Sequence, residues 1–287
     1  IVGGRIVAGG IAVRAVVRRG GVVGNGARAQ KERPGVARLL GRFERQLSYV
    51  ARRLRPRAAF GLSLTAGLAG VAVVGWAFGL VVQDVISRKD LAGLDGTVYR
   101  FLLDHREPAL TSASRLVASV GGTVQLSTLT MGIAALVWWR TRRPRDLLLP
   151  LLAAGGSWLL VEVVKVAVSR PPPPVADMLT ATTGFAFPSG QATRSAACLL
   201  TVAFIASGAL GSWRSKVVAV TAALSLAVLV GLARLTLAVH WLTDVLGGWA
   251  LGTLWFAVVV VVSEVAESLH RDPEAPSPEA VAQETRR

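Results

Sequence analysis

A single cysteine, Cys198, excludes any intrachain disulfide, and its apolar surroundings make it a small buried hydrophobe. Charge is also sparse. Only 17% of the 287 residues are charged against 52% hydrophobic, more apolar than an ordinary soluble domain. Acidic residues are scarcest at the start, where residues 1–57 carry fourteen lysines and arginines against Glu32 and Glu44, which accounts for +12 of the net +15. The basic excess therefore belongs to one segment and not to the whole surface. No solenoid-type repeat is found. The chain opens on Ile1 with neither a clear cleavage site nor a clean apolar core of signal-peptide form, and residues 1–57 read as a basic, disordered cytoplasmic arm. Such an arm is expected to meet anionic lipid. No nucleic acid is expected as partner, because it would explain the arm and none of the polar groups buried further along.

Long apolar runs supply the rest. Six of them approach the roughly 20 residues needed to cross a bilayer, at about 58–83, 122–139, 147–168, 190–210, 217–239 and 241–264. The second is the weakest, being short and holding Thr123, Gln125, Ser127 and Thr128; the fifth and sixth nearly touch. The expected fold is all-α, a polytopic membrane bundle over residues 58–266, followed by a disordered tail at 267–287 rich in proline and acid. Between the first two spans, Tyr99, Phe101, Leu102, Leu110, Leu116 and Val117 alternate with Asp104, His105, Arg106 and Glu107, which predicts one or two interfacial helices.

Orientation follows from the short-loop arginines. Arg52, Arg53, Arg55 and Arg57 precede the first span, Arg140, Arg142, Arg143 and Arg145 separate the second and third, and Arg214 and Lys216 separate the fourth and fifth. Under six-span parity all three clusters are cytoplasmic, as are both termini. Trp138, Trp139, Trp213 and Trp241 fall at span ends, where interfacial anchors belong.

Polar residues at the ends of apolar runs carry the functional signal, because an unpaired ionisable group in hydrocarbon is costly. Parity brings Lys165, the Pro188-Ser189-Gly190 turn, Arg234, His240 and Asp244 to one face, the extracytoplasmic one. Ser189 and Gly190 open a helix, where free N–H groups and the helix dipole favour an anion; Ser189 read alone is an ordinary N-cap. His240 and Asp244, four residues apart, share a helical face, so the carboxylate can hold one ring nitrogen and present the other as nucleophile or base. Arg234, six residues before His240, requires a bend between them. Arg194, three residues beyond Gln191 on the same face, sits in an apolar span. It either supplies charge to the site or pairs with Glu162 or a backbone carbonyl, and Glu162 can equally pair with Lys165.

Three segments, KVAVSRPPPP at 165–174, PSGQ at 188–191 and ARLTLAVHWLTD at 233–244, resemble in order, spacing and sidedness the signature motifs of the type 2 phosphatidic acid phosphatase superfamily, membrane relatives of the vanadium haloperoxidases. The third, with Arg, His and Asp at 234, 240 and 244, is the most specific. The resemblance implies a metal-independent phosphatase without cofactor, acting on a phosphorylated lipid in the plasma membrane. His240 would attack phosphorus to give a phosphohistidine, Asp244 would orient it, and Lys165, Arg234, Ser189 and Gly190 would cradle the phosphoryl oxygens, with Arg170 as a further phosphate ligand. Departures occur at Pro172, where the family has arginine, at Ala233, where it has serine, and at Gln191, where it has the histidine that protonates the leaving group. Glutamine donates a hydrogen bond but no proton at neutral pH.

Losing a general acid costs about 10² to 10⁴ in rate where the leaving group needs a proton. A lipid diphosphate expels a phosphate monoester, and phosphatidic acid an alkoxide, so a polyprenyl diphosphate is the expected preference. The rival reading is a catalytically impaired relative that binds phosphorylated lipid without turnover. A vanadate-dependent halogenating enzyme is disfavoured because those relatives are soluble.

Overall fold

A computed structural model describes residues 56–182 and 184–270. Eight α-helices follow one another: α1 Pro56–Ser87, α2 Asp90–Asp104, α3 Pro108–Val120, α4 Thr123–Thr141, α5 Arg145–Val168, α6 Gly190–Ala209, α7 Trp213–Thr236 and α8 Leu242–His270, with a 3₁₀ turn at Val175–Asp177. The described residues are all-helical, and the protein is a multi-pass membrane protein: α1, α5, α6, α7 and α8 are each long and apolar enough to cross a bilayer. The span expected at 122–139 is different. It qualifies only together with α3, the two helices forming a pair bent by 57° at Gly121 and Gly122. The polar residues of α4 explain this, since they lower the apolar content of a helix already at minimal length. Of the one or two interfacial helices expected between the first two spans, two helices are present, α2 and α3, and α3 belongs to the bent pair.

Helix α6 is the centre of the bundle, with 61% of its span buried against 6% for α1 and 28–33% for the others. It packs on α4, α5, α7 and α8. Hydrophobicity cannot drive helices together in lipid, so close packing of small residues has to. A Cβ at Gly252 of α8 would lie 2.2 Å from the carbonyl oxygen of Thr193, and one at Gly248 would lie 2.8 Å from that of Ser189, so the two backbones touch. Buried hydroxyls inside this contact return to their own helix: Thr193 donates to the Ser189 carbonyl at 3.0 Å and Thr201 to that of Ala197 at 2.8 Å. Cys198 lies in the core with Leu126, Leu199, Ala203, Ala223 and Ala227.

Helix ends set the polar residues in place. α5 stops at Ser169, which is left-handed at φ 49°, and the prolines from 171 to 174 cannot continue a helix. α7 was expected to run to 239; it ends at Thr236, and Ala238 turns the chain with φ 56°. This is the bend required between Arg234 and His240. α8 runs past the expected boundary at 266 to His270. α1 takes in Pro56 and Arg57, the last two residues of the expected arm; the rest of the arm and the remainder of the tail lie outside the described residues. Trp241, expected as an interfacial anchor, lies just before α8 and is half-buried: its ring lies 5.2 Å from that of Tyr99 and its Nε1 donates to the Pro171 carbonyl at 3.2 Å.

Candidate active site

The ends of α5 and α7 and the starts of α6 and α8 meet around one cavity of about 580 Å³. Lys165 reaches it from α5, Gly190, Gln191 and Arg194 from α6, Arg234 from α7 and His240 from the turn before α8. Arg115 and Ser119 of α3 and Thr180 and Thr182 of the loop before α6 complete the wall. Of the ionisable lining groups, Arg115, Lys165, Arg194 and Arg234 are cationic and none is a carboxylate. α3 is held over the cavity by Ala118 packing on Ala233, Leu237 and Val239, and by a 2.6 Å bond from the Thr236 hydroxyl to that of Ser114. Ala233, one of the departures, is thus a core residue where α3 covers α7.

Buried polar atoms of three lining residues, Gln191 Oε1, Arg194 Nε and Arg234 Nε, have no hydrogen-bond partner, and neither has Ser189 Oγ next to Gly190; His240 Nδ1 makes no hydrogen bond but has Asp244 Oδ2 at 3.5 Å. Buried polar groups are normally satisfied, so a cluster of exceptions in one place is the mark of a ligand site. Ser189 is fully buried and its hydroxyl does not cap α6, which sets aside the reading of this side chain as a plain N-cap. It borders the cavity through Gly190. Arg194 lies over the start of its own helix, where a Cβ at Gly190 would come within 3.1 Å of its Nη2. Glu162 is exposed, and among the described residues it forms no ion pair with Arg194 or Lys165. Arg194 lines the cavity.

Asp244 is completely buried in the first turn of α8. Its Oδ2 accepts the backbone N–H of Trp241 at 2.8 Å, closing the turn before the helix, and stands 3.5 Å from His240 Nδ1. Its Oδ1 accepts from Arg170 Nη1 at 2.6 Å. Burial lowers the pKa of His240, opposed by Asp244 and reinforced by Arg234 and Lys165, so the neutral imidazole is the favoured form.

Arg170 departs from expectation. It does not line the cavity; its guanidinium is shared between Asp244 and Asp95, with Nη2 donating to Asp95 Oδ2 at 2.6 Å, and lies 5.7 Å from the ring centre of Trp241. Its two terminal nitrogens are thus each committed to a carboxylate outside the cavity wall. Asp95, Thr243 and Arg115 are the site residues that sequence reasoning missed. Each is an isolated polar residue in an ordinary setting, and only the fold gives it a partner. The outer helices are also tied down away from the cavity. Tyr99 donates to Asp177 at 2.7 Å, which together with burial raises its pKa to about 12, and Arg106 donates to the Asp177 carbonyl. Among the described residues no group of three or more His, Cys, Asp or Glu could hold a metal ion.

Fold and cavity together define a multi-pass helical membrane protein with a cation-lined polar site at one end of its bundle. Residues 146–267 match the family model of the PAP2 superfamily. Phosphatidylglycerophosphatase B of Bacillus subtilis (strain 168) is 32% identical over 184 residues, which is 63% of this chain and 89% of that protein. The crystal structure of a transmembrane PAP2-type phosphatidylglycerolphosphate phosphatase from Bacillus subtilis matches with a TM-score of 0.63 at 26% identity, covering 68% of this chain and 96% of that one. The chain belongs to the PAP2 superfamily, the type 2 phosphatidic acid phosphatases that its three motifs resemble.

Proposed function

We propose that this protein is an integral membrane lipid phosphatase that transfers the terminal phosphoryl group of its substrate to His240 and then to water. The observation that carries the reading is the cavity itself: His240 stands beside Lys165, Arg194 and Arg234 in a wall without a carboxylate. Phosphoryl transfer is mostly positioning and stabilisation of charge on the equatorial oxygens, and guanidinium groups do both. Nε2 of the neutral imidazole forms the N–P bond as the P–O bond to the leaving group breaks, and Asp244 steadies Nδ1–H. Water then cleaves the phosphohistidine and releases inorganic phosphate. Lys165, Arg194, Arg234, the Ser189 hydroxyl and the first-turn N–H of Gly190 hold the phosphoryl oxygens throughout.

Gln191 narrows the substrate. It can hydrogen-bond a leaving oxygen but cannot protonate it, so we infer a preference for a lipid diphosphate such as a polyprenyl diphosphate, whose leaving group is a stable phosphate monoester. The named relatives act on phosphatidylglycerophosphate, which is the natural competitor in an assay. The same glutamine favours the second reading, a protein that binds phosphorylated lipid without turnover. The site is proposed to face away from the cytoplasm, since the clusters Arg140 to Arg145 and Arg214 with Lys216 occupy the opposite helix ends.

Phosphate release by purified protein from polyprenyl diphosphate, phosphatidylglycerophosphate and phosphatidic acid, with His240→Ala as blank, tests the reading. Release from at least one substrate above the blank is expected, fastest from the diphosphate. No release from any would leave the binding-only reading in its place.

A further inference from the structure

Asp95 belongs to none of the three motifs and lies in α2, outside the spans. It is nevertheless buried, and both its oxygens are engaged at the start of α8. Oδ1 accepts the Thr243 N–H at 2.9 Å; Oδ2 accepts the Thr243 hydroxyl at 2.7 Å and Arg170 Nη2 at 2.6 Å. Arg170 Nη1 also donates to Thr243 Oγ1 at 2.7 Å. An arginine needed only to fix α2 on α8 would be satisfied by Asp95 alone. This one divides its two ends between Asp95 and Asp244.

The division has an electrostatic consequence. A closed pair of Arg170 with Asp244 would be neutral, and it would face His240 beside a site containing Lys165 of α5, Arg194 of α6, Arg234 of α7 and Arg115 of α3, whose other polar lining residues, Gln191, Ser119, Thr180 and Thr182, are uncharged. Two carboxylates around one guanidinium carry a net single negative charge. We infer that Asp95 is a positioning residue that restores to Asp244 the negative charge Arg170 would cancel, so that the imidazole has a counter-charge when it becomes cationic on attack. The inference rests on the proposed role of His240 as nucleophile. It also gives a reason for Arg170 to be absent from the cavity: the pairing orients Asp244, and Arg194 takes the place at the phosphate.

The test follows the charge count in full-length protein in detergent. Histidine is isotopically labelled, and His240 is assigned among the three histidines by the loss of its signal in His240→Ala. Asp95→Asn leaves the cluster neutral, so the His240 titration moves to lower pH and kcat falls roughly tenfold with little change in KM. The double variant Asp95→Asn with Arg170→Gln returns the net charge to one negative and brings both quantities back toward wild type. Asp95→Glu keeps the titration in place. Thr243→Val, which removes a hydroxyl and no charge, lowers the melting temperature without moving it. A His240 titration unchanged in Asp95→Asn, or a double variant no closer to wild type than the single one, overturns the inference. If wild type releases no phosphate above the blank, the catalytic reading fails, while the titration still decides the role of Asp95.

Discussion

The backbone N–H of Ser189 donates to the carbonyl oxygen of Asp244 at 2.9 Å, so the start of α6 and the first turn of α8 form one unit. Two of the three motifs are thereby fixed to each other before any side chain is considered. The contact depends on Gly248 and Gly252, whose missing side chains let the helices touch. A methyl group at Gly252 has to displace the Thr193 backbone, and overpacking of this kind costs about 1–3 kcal/mol. Gly252→Ala is expected to lower the melting temperature in detergent by several degrees and to reduce phosphate release. An unchanged melting curve would mean the helices are not held as described.

Gln191→His restores a group able to protonate a leaving oxygen. Turnover of phosphatidic acid is expected to rise by up to about 10² to 10⁴, and that of polyprenyl diphosphate far less, because only the alkoxide needs the proton. Equal gains on both substrates would remove the leaving-group account.

Arg194→Gln removes a guanidinium that lines the cavity and forms no ion pair with a carboxylate among the described residues. A hydrogen bond to a charged group contributes about 1.5–3 kcal/mol, which converts to roughly 10- to 100-fold weaker binding of a phosphorylated lipid. Titration of the His240→Ala protein with substrate, with and without Arg194→Gln, measures this without turnover. Unaltered affinity would free Arg194 from the phosphate.

The acidic limb of the pH profile reports His240. Its folded pKa is lowered from 6.5, chiefly by burial, so the reactive neutral ring persists as pH falls through that value and is lost only at lower pH. The same burial makes the unfolded chain the better proton acceptor below about 6.5, so stability decreases as pH falls. An inflection in kcat/KM above 6.5 would contradict this assignment.

Much of the fold was legible because bilayer thickness fixes the length of an apolar run, and five of six expected spans correspond to single long helices. The sixth was obscured where Thr123, Gln125 and Ser127 weaken the pattern and the bent α3–α4 pair takes its place. Lys165, Arg234, His240 and Asp244 were visible because a charged residue beside hydrocarbon is expensive and therefore conspicuous. Arg194 was visible for the same reason. Asp95 and Arg115 were not, since an acid or a base in a polar loop segment costs nothing and signals nothing.

The sequence by itself determined that the chain crosses a membrane several times and that its polar motifs share one end of the bundle, because hydropathy and helix parity depend on order alone. Tertiary structure decided which charges meet. Arg170 and Arg194 are each one polar residue near an apolar helix in sequence, yet the first is closed between Asp95 and Asp244 and the second opens onto the cavity beside His240. The physical reason is that electrostatic partnership depends on distance through space, and Asp95 reaches Thr243 and Arg170 only after α2 has packed against the start of α8.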